Sequence, residues 1–549
     1  MPSEAGRPGP DPLEALESRV IDHVFALQPG YAVFLGLHQY DGRLPDLGRS
    51  ATDAWTGAAD RLLSDLREIP ADQLTEARRL DRTLLELLLE SPRFDLHQSR
   101  DLDRNPMAFL GPVSLTAYMV RDYAPLPTRV DAMVRLLDGV PALLDAARHR
   151  LESVLPEPFV RLALTMAAGL PPHFEEAEAY ARRASAPLGD RVARARAPAE
   201  EAVRGFLERL QGEWTRNATD DFALGPERYQ TLLWVREGLR TPFEEMRRSG
   251  LADLKRNQAR LEEIARSRKP PTDVPALLES LFRQHPSADR LIPRAQELVA
   301  ETKRFVEEAG LVTVPSVADC RVEETPVYGR ALSTASMNPP GPFDAAGDEG
   351  IYYVTPVDPA WPPERREEWL RSFNDPMLRN ITIHEVYPGH YVQFLHFRRG
   401  ANSFARKVFV SASFTEGWAH YCEQLAIEQG LGRGGPEAEV AQIHDALLRD
   451  CRLLASVGLH TGGMTLGEAT ELFRREAHFE QLPAEREAIR GTFNPEYFCY
   501  TLGKLAILEE RARTLGPLFG GSLRAFHDRL LSFGSPPVGV LGALLGAPA

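Results

Sequence analysis

Cysteine is scarce in this chain. Its 549 residues include four, Cys320, Cys422, Cys451 and Cys499, and no two are neighbours in sequence. That spacing excludes a Cys-based metal finger and counts against a disulfide framework. Reduced, buried thiols are expected, and with them a cytoplasmic location. Positive charge is also in deficit: 64 Lys and Arg face 78 Asp and Glu, a net charge of −14. Nucleic acid and anionic membrane surfaces are therefore poor partners. Long apolar runs are missing as well. The N-terminal twenty residues show no basic segment followed by an apolar one, so no secretory signal is read there. The apolar stretch at 538–545 is too short and too glycine-rich to span a bilayer.

What is present is helical periodicity, at 75–90, 129–155, 198–214, 276–282 and 287–310. The Arg/Ala/Glu run at 181–210 reads as a solvated helical pair broken at Pro187-Leu188-Gly189. Lys269-Pro270-Pro271 reads as a linker or sharp turn. Strand character appears mainly between Cys320 and Thr355, with 321–324 and 351–355 as the candidates, the second rich in β-branched and aromatic residues. A Pro/Gly-rich loop at 338–350 lies between them. The length exceeds what one compact core usually holds. The expected organisation is a disordered 1–11, a helical region at 12–315 and a region at 316–549 that carries a short sheet and the chemistry. The last two form one continuous domain of two lobes around a cleft.

The chemistry centres on His384-Glu385-Val386-Tyr387-Pro388-Gly389-His390. Two imidazoles and a carboxylate are the parts of a zinc hydrolase: two ligands, and a base for an activated water. In H-E-x-x-H the histidines lie roughly 40° apart around a helix, whereas at i and i+6 on an unbroken helix they lie roughly 240° apart. Pro388 offers no N–H to the carbonyl of His384 and its ring clashes with it. Gly389 takes backbone angles that other residues avoid. A bulge of two residues here would return His390 to the face of His384. The alternative is a surface His-Glu with an unrelated histidine nearby.

A second segment, Phe414-Thr415-Glu416-Gly417-Trp418-Ala419-His420-Tyr421-Cys422-Glu423, places Glu416, His420 and Glu423 on one helical face. Glu416 is the candidate third ligand, with a buried ion pair to an arginine as its alternative. Glu423 suits a role behind the site, holding a ligand histidine in one tautomer. His420 is open between that role, a substrate contact and a core position. Tyr497, Tyr500 and Lys504 cluster further on. A phenol near a metal donates to a developing oxyanion or simply packs in the core. His460 is read as a substrate contact or the cap of a turn. Tyr353, Tyr391 and Lys504 complete the substrate-side candidates.

These residues resemble the bacterial DUF885 proteins, which are similar to zinc peptidases of the gluzincin type. The family pattern H-E-x-x-P-G-H-H followed by E-G-W-A-x-Y-x-E stands here as HEVYPGHY and EGWAHYCE. Weaker matches extend over most of the chain: Leu35–Asp46, Tyr500 with Gly503 and Arg511, and the tail from Phe533 to Pro537. The resemblance implies His384, His390 and Glu416 as metal ligands and Glu385 as general base. The spacing of Glu416 and Glu423 also resembles oligopeptidases of the thimet and neurolysin kind. A mainly α fold with a small β-sheet is implied, elongated and zincin-like with a deep channel. Three departures bear on substrate preference: Tyr391 for a second histidine, Ser456 for an acid before His460, and Met464 for a tryptophan.

The expected function is metal-dependent hydrolysis of peptide bonds. Glu385 serves as base, and Tyr500 or His460 as oxyanion donor. Zinc is the expected metal, with manganese, cobalt or iron compatible with the same donors. The expected substrate is a peptide or small amide and the assembly a monomer or homodimer, with no nucleic-acid or membrane partner. Strand 351–355, if at a sheet edge, would align an extended peptide. The competing readings are amide or C–N cleavage on a small metabolite, and a non-catalytic binding protein with a relic site.

Overall fold

The computed structural model describes residues 11–315, 319–326, 330, 333–344, 347–400, 402–432 and 435–546. Contacts divide the chain into two units, Met1–Thr219 with Asn402–Phe409, and Asp220–Ala401 with Val410–Ala549. The expected division at 315 followed content, whereas contact groups the helices between 220 and 315 with the sheet. The expected disorder of 1–11 falls outside the described residues except at Asp11, whose carboxylate pairs with Arg78 at 2.7 Å.

In the first unit the described regular elements are helices. Thr75 caps Glu76–Phe94 by accepting the N–H of Arg78 at 3.3 Å, as its hydroxyl and position require. The Arg/Ala/Glu pair is Glu157–Ala184 and Ala186–Arg209, parted at Ser185. The break thus precedes Pro187. A proline in the first turn forfeits no hydrogen bond, so it starts the second helix instead of interrupting it. Asn402–Phe409 is pinned to this unit by buried charge: Arg406 Nε lies 2.7 Å from Asp81 Oδ1, and the N–H of Ala405 donates to Glu17 at 2.7 Å.

The second unit holds a three-stranded sheet of β1 (Arg321–Glu324), β2 (Ala335–Asn338) and β3 (Ile351–Val354), in the order β1-β3-β2. β3 runs parallel to β1 and antiparallel to β2, with Tyr352 opposite both Val322 and Met337. All four residues of β3 are buried, the reason it reads as an unbroken apolar run. The condition set for peptide alignment by 351–355, an edge position, is not met: β3 is the middle strand. β2 lies in a stretch where no strand was expected.

Seven helices of this unit bear on the site: α1 (Phe243–Ser267), α2 (Leu291–Ala309), α3 (Asp375–Glu385), α4 (His390–Gly400), α5 (Ala412–Glu428), α6 (Glu437–Thr461) and α7 (Cys499–Phe519). α3 packs against α2, α5 and α6, and α5 lies along α7. The protein is mainly helical with a small sheet. All four cysteines are buried and free. Among the described residues no helix is long and apolar enough to cross a membrane.

Candidate metal centre

Asn374 starts α3, its side-chain oxygen accepting the N–H of Met377 at 3.1 Å while Pro376 stands in the first turn. The helix ends at Glu385, the residue after His384. Pro388 supplies no N–H, and the chain turns at once: the N–H of Gly389 donates to the carbonyl of Ile383 at 3.0 Å. A Cβ on Gly389 would lie 1.8 Å from the carbonyl oxygen of His384, so the turn can close only with glycine there. A second helix, α4, then begins at His390 itself. The expected bulge within one helix is in fact a join between two. Its effect is the one the chemistry needs, because the rings of His384 and His390 meet edge to face with centroids 4.7 Å apart.

Glu416 projects from α5 into this pair. Its Oε2 lies 3.4 Å from Nε2 of His384 and 3.5 Å from Nε2 of His390. Donor atoms of the three residues all fall within 4.8 Å of one another. Two ligands about 2.0–2.2 Å from one ion at a tetrahedral angle lie about 3.3–3.6 Å apart. Both carboxylate–imidazole distances meet that requirement. The remaining ring nitrogens point away: Nδ1 of His384 is 2.7 Å from Glu423 Oε1, and Nδ1 of His390 is 3.4 Å from the side-chain oxygen of Gln393. A carboxylate accepts and cannot donate, so Glu423 holds the proton on Nδ1 and leaves Nε2 facing Glu416.

Charge balance is consistent with a cation between these groups. Burial opposes a proton on His384, yet its bonds to Glu416 and Glu423 outweigh burial and raise its pKa to about 10. Burial would raise Glu416, but the two imidazoles hold it well below the usual carboxylate range. Without a metal, the site holds a proton where a dication would sit.

Behind the site, Glu423 is completely buried and saturated. It accepts from Asn380 at 3.1 Å, from His420 Nδ1 at 3.2 Å and from Arg449 at 3.1 Å, besides His384. Burial lowers the pKa of His420 to about 3, so it is a neutral donor to Glu423 and, fully enclosed, no substrate contact. Trp418 donates from its indole N–H to the carbonyl of Pro388 at 3.0 Å and clamps the turn from α5.

The other candidates separate. Glu385 is nearly buried at 9 % exposure and has no hydrogen-bond or ionic partner among the described residues. The Tyr500 hydroxyl likewise has no hydrogen-bond partner among them. Burial and then the charge of Glu416 raise its pKa, which places the phenol in the field of the site. His460 lies apart from the metal ligands in its contacts. It is 1 % exposed, its Nε2 donates to the carbonyl of Gly491 at 2.8 Å, and its ring stacks on Tyr229. Ser456 bonds Tyr229 and the carbonyl of Pro495 instead of orienting His460. Lys504 is enclosed and paired with Asp253 at 2.5 Å. Tyr353 is buried in the middle strand, and Tyr391, fully buried, donates to the carbonyl of Asp348 at 3.0 Å. Lys504, Tyr353 and Tyr391 are thus all buried side chains. Sequence reading passed over Asn380, Gln393 and Arg449. Arg449 left one trace, an arginine among the apolar residues of α6.

Residues 29–545 match the family described as bacterial protein of unknown function, DUF885, and the chain belongs to that family. No curated protein matches it. Two solved structures share its fold. One is a candidate lipoprotein of unknown function from Shewanella oneidensis, 24 % identical, covering 97 % of this chain and 99 % of its own at a TM-score of 0.81. The other is a candidate lipoprotein from Colwellia psychrerythraea, 18 % identical, covering 97 % and 98 %, with a TM-score of 0.78. Both are described as lipoproteins, a description that stands against the cytoplasmic location expected from the cysteines. Buried thiols record packing, and packing is the same in either compartment.

Proposed function

We propose that this DUF885 chain is a metal-dependent hydrolase of amide bonds, with zinc the best fit and peptides the favoured substrate class. The convergence of His384, His390 and Glu416, with both carboxylate–imidazole distances at tetrahedral ligand spacing, carries the reading. Bound there, zinc would act as a Lewis acid and bring the pKa of a coordinated water toward about 7. Glu385 takes a proton from the attacking water and returns it to the leaving nitrogen. Its lack of a competing partner leaves it free to do both. Tyr500 donates its hydroxyl proton to the oxyanion. His460 has no part in this scheme, because its Nε2 already serves Gly491. An extended peptide would pair with an edge strand, and β2 is the edge that packs near α3. The zincin-like channel belongs to the same proposal, and the lipoprotein relatives favour an extracytoplasmic setting for it.

The test is Glu385→Gln, assayed by elemental analysis and by mass spectrometry of a peptide-library digest. The variant should hold one equivalent of metal and lose nearly all turnover. Wild-type turnover in the variant, or a wild-type protein purified without chelators and free of metal, rejects the reading.

A further inference from the structure

Arg449 of α6 is 7 % exposed, and a buried arginine needs its charge paired. Nη1 donates to Glu423 Oε2 and Nη2 lies by Oε1, each at 3.1 Å, so guanidinium and carboxylate meet fork to fork. Nη1 also lies 3.2 Å from Asp445. This fork fixes the rotation of the Glu423 carboxylate. Oε1 is thereby aimed at Nδ1 of His384, and Oε2 at Asn380 and His420.

The same guanidinium lies over the ring of Tyr500, 5.5 Å from its centroid. Arg452, one turn along α6, lies 5.2 Å from that centroid and is itself held by Glu487 at 2.8 Å. No hydrogen bond aims the Tyr500 hydroxyl among the described residues, so the ring is placed by these two cations. One side chain thus touches the support of a metal ligand and the ring of the proposed oxyanion donor.

We infer that Arg449 is a positioning residue that ties the orientation of His384, through Glu423, to the placement of Tyr500. The inference rests on the proposed metal centre. A lysine would keep the charge, but its ammonium cannot make the planar fork or lie flat on the ring.

The test uses zinc alone, titrated against a chelating dye, and then acetohydroxamate as an oxyanion-bearing probe of the zinc-loaded protein. Arg449→Met should weaken zinc binding 10- to 100-fold, the range for residues supporting a ligand histidine. Arg449→Lys, the variant least disturbing to folding, should remain at least tenfold weaker, and Tyr500→Phe should bind zinc within twofold of wild type. Acetohydroxamate should bind more weakly to the Arg449 and Tyr500 variants, and the Arg449 effect should shrink in the Tyr500→Phe background. Thermal melts of each variant keep this coupling distinct from loss of fold. Wild-type zinc affinity in both Arg449 variants, or strictly additive effects on the probe, overturns the inference alone. A wild-type protein that takes up no zinc overturns the metal reading, and this inference with it.

Discussion

Gly417 and Gly503 touch where α5 crosses α7. A Cβ built on Gly417 would lie 2.3 Å from the Cα of Gly503, and one on Gly503 would lie 1.7 Å from the carbonyl oxygen of Ser413. Both obstacles are backbone and cannot move aside. The contact sits between Glu416, one residue before Gly417, and Tyr500, one turn before Gly503. Glycine at both places sets how closely the ligand helix and the phenol helix approach. Gly503→Ala should destabilise the protein by about 3 kcal/mol, at the upper end for overpacking. Urea unfolding checks this, and an unchanged midpoint would show that the helices can part at no cost.

Zinc affinity should rise with pH. The folded-state pKa of His384 is raised from 6.5 to about 10, so in the metal-free protein its stabilising contribution is full below 6.5 and is lost as pH climbs through about 10. Zinc must displace that proton. Affinity should therefore increase about tenfold per pH unit from pH 7 to 9, one proton being released per ion. Dye competition at three pH values reads the slope, and a flat profile would remove His384 from the ligand set.

Metal removal should lower stability. At free zinc a thousandfold above its dissociation constant, the bound ion stabilises the native state by about 4 kcal/mol. Melting with and without a chelator should show the difference in the wild type and none in His390→Ala.

Glu237 anchors the start of α5. It is wholly buried and accepts from the Ser411 hydroxyl at 2.6 Å, the Ser413 N–H at 3.0 Å and the Val538 N–H at 3.4 Å. Burial raises its pKa from 4.5 to about 7, and those donors only partly offset it. The folded chain therefore holds this proton more tightly than the unfolded chain, and stability falls as pH rises from 4.5 through 7. Glu237→Gln, a neutral mimic of the protonated acid, should match the wild type below pH 4.5. It should exceed it by roughly 1–3 kcal/mol at pH 8. Equal stability of the two proteins at pH 8 would contradict the raised pKa.

The helix expected at 75–90 was readable because apolar periodicity acts within a few turns of the chain. So was the interruption at Pro388, where a missing N–H and a ring clash act on the adjacent turn. The pairing of two motif segments through Glu416 was readable from ligand type. Other readings failed for a common reason. A histidine on a helical face looks the same whether it serves a substrate or, like His460, the carbonyl of Gly491 thirty-one residues away. Lys504 and Tyr391 misled in the same way.

By itself, the sequence determined the helical class, the donor set of the candidate site and the break that lets His390 begin a new helix. These follow from local chemistry: periodicity, ligand type and the backbone of proline and glycine. Only the tertiary structure decided that β3 is the middle strand, that Arg449 stands behind His384 and over the ring of Tyr500, and that Gly503 must be bare. Each of those depends on a partner brought from far along the chain, and contact of that kind is a property of packing that no short segment encodes.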